Sequence, residues 1–233
     1  MLPPRPSGPQ FVRLDHSRLL LAAREVSFQQ VNRDDLIPAL VRFELAKAGR
    51  QTTHLPTAQQ VGATLGALMG LGQPVERLEP RHLIQVHRVL AGKREAALFR
   101  QGGALSICAN HDPLSPARVQ PALKRFFEWV RGANFGSLHP VQQMTLAQLR
   151  LYEISPFQRH SEITASLFPT YFLLAGGHLL PLPEPDELED FYAALSSAFA
   201  LDTSELVSLN LKACQRSYAR VSQELPLERL DGS

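Results

Sequence analysis

The sequence predicts an all-α chain, a bundle of about seven to nine helices with one short β-hairpin. Apolar residues recur at three- and four-residue spacing through most of the 233 positions. Glycine and proline punctuate those runs at intervals that a helix would fill. A short strand-like pattern around a Gly-Gly pair occurs at 98–110, where Gly102-Gly103 separates Ala97-Leu98-Phe99 from Leu105-Ser106-Ile107-Cys108; two such arms around glycine read as a hairpin.

The elements follow in order. Residues 1–8 are rich in proline and read as a mobile arm, with a short extended piece at 10–14. Asn32 caps a helix carrying Leu36, Leu40, Val41, Phe43 and Leu45 that stops at Gly49. Helices at 57–69 and 80–90 repeat the pattern, the second ending before Gly92. After the hairpin, Val119, Leu123, Phe126, Phe127, Trp129 and Val130 mark another helix, in which Pro121 falls within the first turn. His139-Pro140 opens a helix over 141–153 that ends at Ser155-Pro156, because a residue before proline avoids helical angles. Ser161 caps a helix to Leu174, bent at Pro169 and closed by Gly176-Gly177. Two helices, 187–199 and 204–221, complete the chain.

Composition bounds the function. A net charge of +2 without a dense Lys/Arg run gives no support for nucleic-acid binding. No apolar run approaches the roughly 18 residues that span a bilayer, so no membrane partner is expected. The prolines near Met1 do not suit a signal peptide, and two cysteines, Cys108 and Cys214, build no disulfide framework. A cytoplasmic setting fits best.

The segment 83–92 ending His87-Arg88-Val89-Leu90-Ala91-Gly92, then Arg100, His139-Pro140 and Ser155-Pro156-Phe157, resemble in their order segments of the Fic/Doc family of nucleotidyl (AMP) transferases. The family's active-site pattern is His-Pro-Phe-x-Asp/Glu-Gly-Asn-Gly-Arg-x-x-Arg, and Ser155-Pro156-Phe157-Gln158-Arg159-His160-Ser161-Glu162-Ile163-Thr164-Ala165-Ser166 stands in its place. Residues 83–92 are similar to the helix ending His-Arg-x-Leu-x-Gly that leads to the family's flap. Arg100 follows at the expected interval, and the hairpin with Leu105, Ser106, Ile107 and Cys108 matches the flap. His139-Pro140 resembles the His-Pro before the motif helix. The resemblance implies a Fic-like helical bundle with an arm at 1–30 and one domain over 31–233, its core at 75–221. The segment 32–49 resembles the family's inhibitory helix, with Ala48 at the position of the inhibitory glutamate.

On that alignment the motif is degenerate. Ser155 replaces the histidine general base, and a neutral hydroxyl is no base near pH 7. Arg159 replaces the acidic residue that holds a cation on the diphosphate and would repel magnesium. His160, Ser161 and Glu162 replace the Gly-Asn-Gly segment whose amides approach phosphate, and Ile163 and Ser166 replace both arginines. ATP and magnesium binding are therefore not expected. Pro156 and Phe157 read as structural, fixing the turn and anchoring the loop, and Glu162 as a carboxylate that offsets a helix dipole.

No metal site is expected from His82, His87 or His111-Asp112, and Cys108 reads as a small half-buried residue rather than a nucleophile. Three readings follow. The leading one is a pseudoenzyme that binds an extended partner segment through flap and cleft by strand addition. The second is a transferase with altered chemistry, His160 as displaced base and Arg159 holding an anion. The third is a homo-oligomer whose cleft is filled.

Overall fold

The computed structural model describes residues 9–23, 36–49, 55–92 and 99–224. Their helices, in chain order, are α1 (Pro9–Ala23), α2 (Ile37–Ala48), α3 (Ala58–Met69), α4 (Pro80–Ala91), α5 (Pro116–Val130), α6 (Ala133–Gly136), α7 (Pro140–Ile154), α8 (Ser161–Leu167), α9 (Thr170–Ala175), α10 (Leu188–Phe199) and α11 (Ser204–Glu224). Single 3-10 turns at Val75–Arg77 and Pro185–Glu187 join α3 to α4 and lead into α10. The all-α expectation holds among the described residues, but they form eleven α-helices rather than about seven to nine, because Pro9–Ala23 and Ala133–Gly136 are helical and the 161–174 run divides at Pro169.

α7 organises the rest. Of its 15 residues, those from Val141 to Gln148 are buried without a break, polar ones included, followed by Leu151, Tyr152 and Ile154. A helix buried on every side is a central one. α5, α8, α9, α10 and α11 pack around it, α3 and α4 form an antiparallel pair beside α8 and α9, and α2 lies against α3 and α8. The aromatic core continues this shell: Phe135 meets Phe172 edge-on at 5.0 Å, and Phe127 meets Phe168 at 6.1 Å.

Helix ends obey local chemistry. At α3 the Thr57 side chain accepts from the Gln60 backbone N–H at 3.2 Å while the Gln60 side-chain Oε1 accepts from the Thr57 backbone N–H at 2.7 Å, a reciprocal capping box. At α4, His82 Nδ1 accepts from the Glu79 N–H at 3.0 Å. α9 ends at Gly176-Gly177, where the His178 N–H returns to Leu173 O at 2.8 Å. Gly177 needs its φ of 70°, and a Cβ at Gly176 would come within 2.9 Å of Pro140.

Four expectations are corrected. The extended piece at 10–14 is helical, because Phe11 and Leu14 one turn apart are both buried, Phe11 against the His139 ring at 4.3 Å. The 161–174 helix is interrupted: α8 stops at Leu167 and α9 restarts at Thr170, since Pro169 has no N–H to continue the ladder. Its N-cap is His160 rather than Ser161. No hairpin forms among the described residues of 99–110. Gly102 and Gly103 are not among the glycines with positive φ, which a two-residue hairpin turn requires. Phe99 instead makes an isolated antiparallel bridge to Phe157. The expected arm at 1–8, the Asn32 cap and Ala97-Leu98 lie outside the described residues.

Thr57→Ala removes one half of the α3 capping box. It should lower unfolding free energy by about 1 kcal/mol in urea titration, without changing the slope against denaturant.

Candidate functional site

The motif segment begins where α7 ends. Ser155 leaves the helix in the left-handed region, φ 43° and ψ 67°, while its N–H still donates to Leu151 O at 2.8 Å. Pro156 disfavours right-handed helical angles at Ser155, so the helix stops there. The exposed carbonyls of this end converge on Arg100. Its Nε donates to Ser155 O at 2.6 Å, Nη1 to Gly102 O at 2.9 Å, and Nη2 to Leu114 O and to Ile154 O, the last at 3.4 Å. The Arg100 backbone N–H donates to Pro156 O at 3.0 Å. A buried guanidinium thus caps the negative end of α7. Burial lowers its pKa from the ordinary value, but arginine remains charged.

Phe157 is the anchor of the loop. It is buried, stacked parallel on His87 at 3.6 Å and within 5.8 Å of Phe99. Its N–H donates to Ser161 Oγ at 3.1 Å, which uses the Ser161 side chain inside the loop. His87 Nδ1 lies 2.9 Å from Thr164 Oγ1, whose hydroxyl proton goes to His160 O at 2.9 Å. The imidazole must then donate through Nδ1, which assigns its neutral tautomer. Burial lowers its pKa to about 3, and His160 nearby adds to that effect.

His160 takes the left-handed conformation, φ 51° and ψ 23°, at the place where the resemblance has glycine. Arg159 is exposed and His160 half-buried on the cleft wall. Glu162 sits in the first turn of α8; burial raises its pKa, its own backbone N–H and Lys47 pull it back, and Glu44 adds to the rise. Ile163 is wholly buried in the apolar core.

Ser166 belongs to a buried polar group built from α2, α7 and α8. Its hydroxyl donates to Glu44 Oε1 at 2.6 Å and accepts from Lys47 Nζ at 2.6 Å and Gln148 Nε2 at 3.1 Å. Lys47 Nζ also donates to Glu44 Oε1 at 2.9 Å and to the Tyr152 hydroxyl at 3.0 Å. Lys47 is 0 % exposed, yet its pKa is raised: Glu44 and Tyr152 together outweigh burial, the largest single effect, which acts to lower it. The Phe43, Tyr152 and Phe191 rings lie 5.1 to 5.8 Å from the ammonium. The signal was present in sequence, since Leu40, Glu44 and Lys47 fall on one helical face. Ala48 is buried in the core beside them and offers no polar side chain to the cleft.

The cleft has a volume of about 610 Å³ between the motif loop and residues 103–111. Ser155, Phe157, Arg159, His160, Ser161 and Glu162 line one side. Leu105, Ile107 and His111 line the other. Leu105 is 73 % exposed and Ile107 buried, while the Ser106 hydroxyl folds back onto the carbonyls of Cys108 and His111. Cys108 is half-buried, its thiol raised in pKa by burial and donating to Asn110 Oδ1 at 3.3 Å. In the sequence, His111 beside Asp112 suggests no role, since a metal site is not expected there. Here it stacks on Phe199 at 4.2 Å, and neither ring nitrogen has a hydrogen-bond partner among the described residues. Glu162 Oε1 is similarly unmatched.

Lys47→Met alone leaves the Glu44 carboxylate buried without its cation. It should cost about 3–5 kcal/mol, and the double variant Glu44→Leu/Lys47→Met should recover much of that loss in urea unfolding. The lowered pKa of His87 has a definite sign. The unfolded chain binds a proton near pH 6.5 that the folded chain refuses until about pH 3, so this stability is present above 6.5 and lost as pH falls toward 3. His87→Phe should flatten that part of the acid-unfolding profile.

No family model matches the chain. Solved structures do. Fic-1 (residues 134–508) from C. elegans superposes with a TM-score of 0.75 at 18% identity, covering 93% of this chain and 71% of that one. A Fic family protein from Desulfovibrio desulfuricans G20 gives 0.67 at 17% identity, covering 99% and 80%. A Fic domain containing signaling protein from Bacteroides thetaiotaomicron VPI-5482 gives 0.61 at 14% identity, covering 92% and 91%. At such identities the likeness is one of fold, and the chain has the Fic fold.

Proposed function

We propose that this Fic-fold chain has lost nucleotide transfer and serves as a binding module that holds an extended segment of a partner polypeptide. The reading is carried by the fate of the two arginine positions. Ile163 is sealed in the core, and Ser166 spends its hydroxyl on Glu44, Lys47 and Gln148, so neither presents a cation to a phosphate. Ser155 offers no base and Arg159 puts positive charge where magnesium would bind, so the residues do not fit a magnesium nucleotide.

The cleft favours amide chemistry instead. Residues 103–106 run without helix or turn, and no backbone hydrogen bond joins them to another described residue. Such an edge can add a strand. His111 is kept neutral by burial, with Asp112 opposing, and so carries one donor and one acceptor. A peptide backbone supplies both partners, whereas a phosphate supplies acceptors alone and would meet the Glu162 carboxyl.

The alternative is a transferase working through His160 and Arg159, both on the cleft wall. Labelled nucleotides incubated with the protein and a lysate separate the two readings: transfer abolished by Arg159→Ala or His160→Ala would sink the binding-module reading. Ser155→His alone should leave transfer at background, since the metal and phosphate positions stay unsuited. A displayed peptide library should select extended sequences that Leu105→Pro no longer retains, because proline removes an edge donor.

A further inference from the structure

A second polar cluster lies at the other end of α7 from the motif loop, about 22 Å away along a 15-residue helix. Asp15 from α1, His139 at the N-cap of α7 and His178 after the Gly176-Gly177 turn each place one ligand atom within 4.8 Å of the others. His139 Nε2 is 3.3 Å from Asp15 Oδ1, and His178 Nε2 is 3.7 Å from the same oxygen. Ligand atoms about 2.0–2.1 Å from a tetrahedral zinc ion stand roughly 3.3–3.4 Å from one another. Two of the three separations are therefore already close to the bound geometry.

We propose that Asp15, His139 and His178 form a divalent transition-metal site of the zinc type, with the fourth position open to water. Two imidazoles and one carboxylate suit zinc and its neighbours rather than magnesium or calcium, which take oxygen ligands. The His178 ring is held from behind by the Tyr218 hydroxyl, 3.0 Å from Nδ1, the arrangement that orients a ligating histidine. Asp15 is half exposed while His178 is buried, which gives the site an open side and a fixed floor.

Two features work against the ion and set its affinity. His139 Nδ1 accepts from the Val141 N–H at 3.3 Å, so the ring proton sits on Nε2 and is donated to Asp15. Metal entry moves that proton to Nδ1 and gives up the Val141 bond. Arg18, packed over Gly177, adds positive charge beside the ligands, and the Asp15 carboxylate is needed to offset it. A bound ion would fasten α1 to the start of α7 and the turn after α9, three segments far apart in sequence.

Zinc titrated into the full chain, free of any polyhistidine tag, tests the site. One equivalent should bind, and saturating zinc should raise the melting temperature by several degrees. Asp15→Asn changes a half-exposed side chain and should fold normally, yet weaken binding at least tenfold and abolish the thermal shift. His178→Phe, which keeps a ring in the buried position, should remove stoichiometric binding. No zinc uptake by the wild-type chain, or equal affinity in the wild type and Asp15→Asn, would overturn the proposal.

Discussion

The guanidinium of Arg100 is the point on which the motif region depends. It gathers carbonyls from Gly102, Leu114, Ile154 and Ser155, so the end of α7, the start of the loop and the segment across the cleft are held by one buried cation. Of those carbonyls, the one of Ile154 accepts from the cation in a buried setting, where an unmatched acceptor would be costly. Its neighbourhood also accounts for the missing hairpin: the first residues of 99–110 pair with Pro156 and Phe157, and 103–106 beside the cleft make no backbone hydrogen bond to another described residue.

A second buried cation, Lys47, sets the chemistry behind the cleft. On the Fic/Doc resemblance an arginine from the motif helix belongs where Ser166 stands. Here the positive charge comes from α2, together with its own carboxylate from Glu44, and the motif helix contributes a hydroxyl. The pair is buried, and the carboxylate balances the ammonium within the protein.

Much of the fold was legible because helical periodicity and cap chemistry are local. Thr57 with Gln60, Pro80, His139-Pro140 and Gly176-Gly177 each mark a boundary through groups a few residues away, and those boundaries agree with the structure. Phe157 as an anchor was legible for a related reason, since a large ring beside a proline-fixed turn has an apolar core to enter. The hairpin was misread because a Gly-Gly pair permits a turn without requiring one. Its conformation was decided by Arg100, whose partners lie as far as 55 residues away. The helix at Pro9–Ala23 was missed because its identity rests on burying Phe11 and Leu14 against a distant surface.

The sequence by itself determined the helical class, most element boundaries and which residue types occupy the motif positions, because these follow from spacing and side-chain chemistry along the chain. The tertiary structure alone decided where charge resides. Lys47 meets Ser166 across 119 positions, His111 reaches the cleft with ring nitrogens unmatched among the described residues, and Asp15 joins His139 and His178. The physical reason is that a titratable side chain is defined by its surroundings, and here those surroundings are assembled from helices remote in sequence.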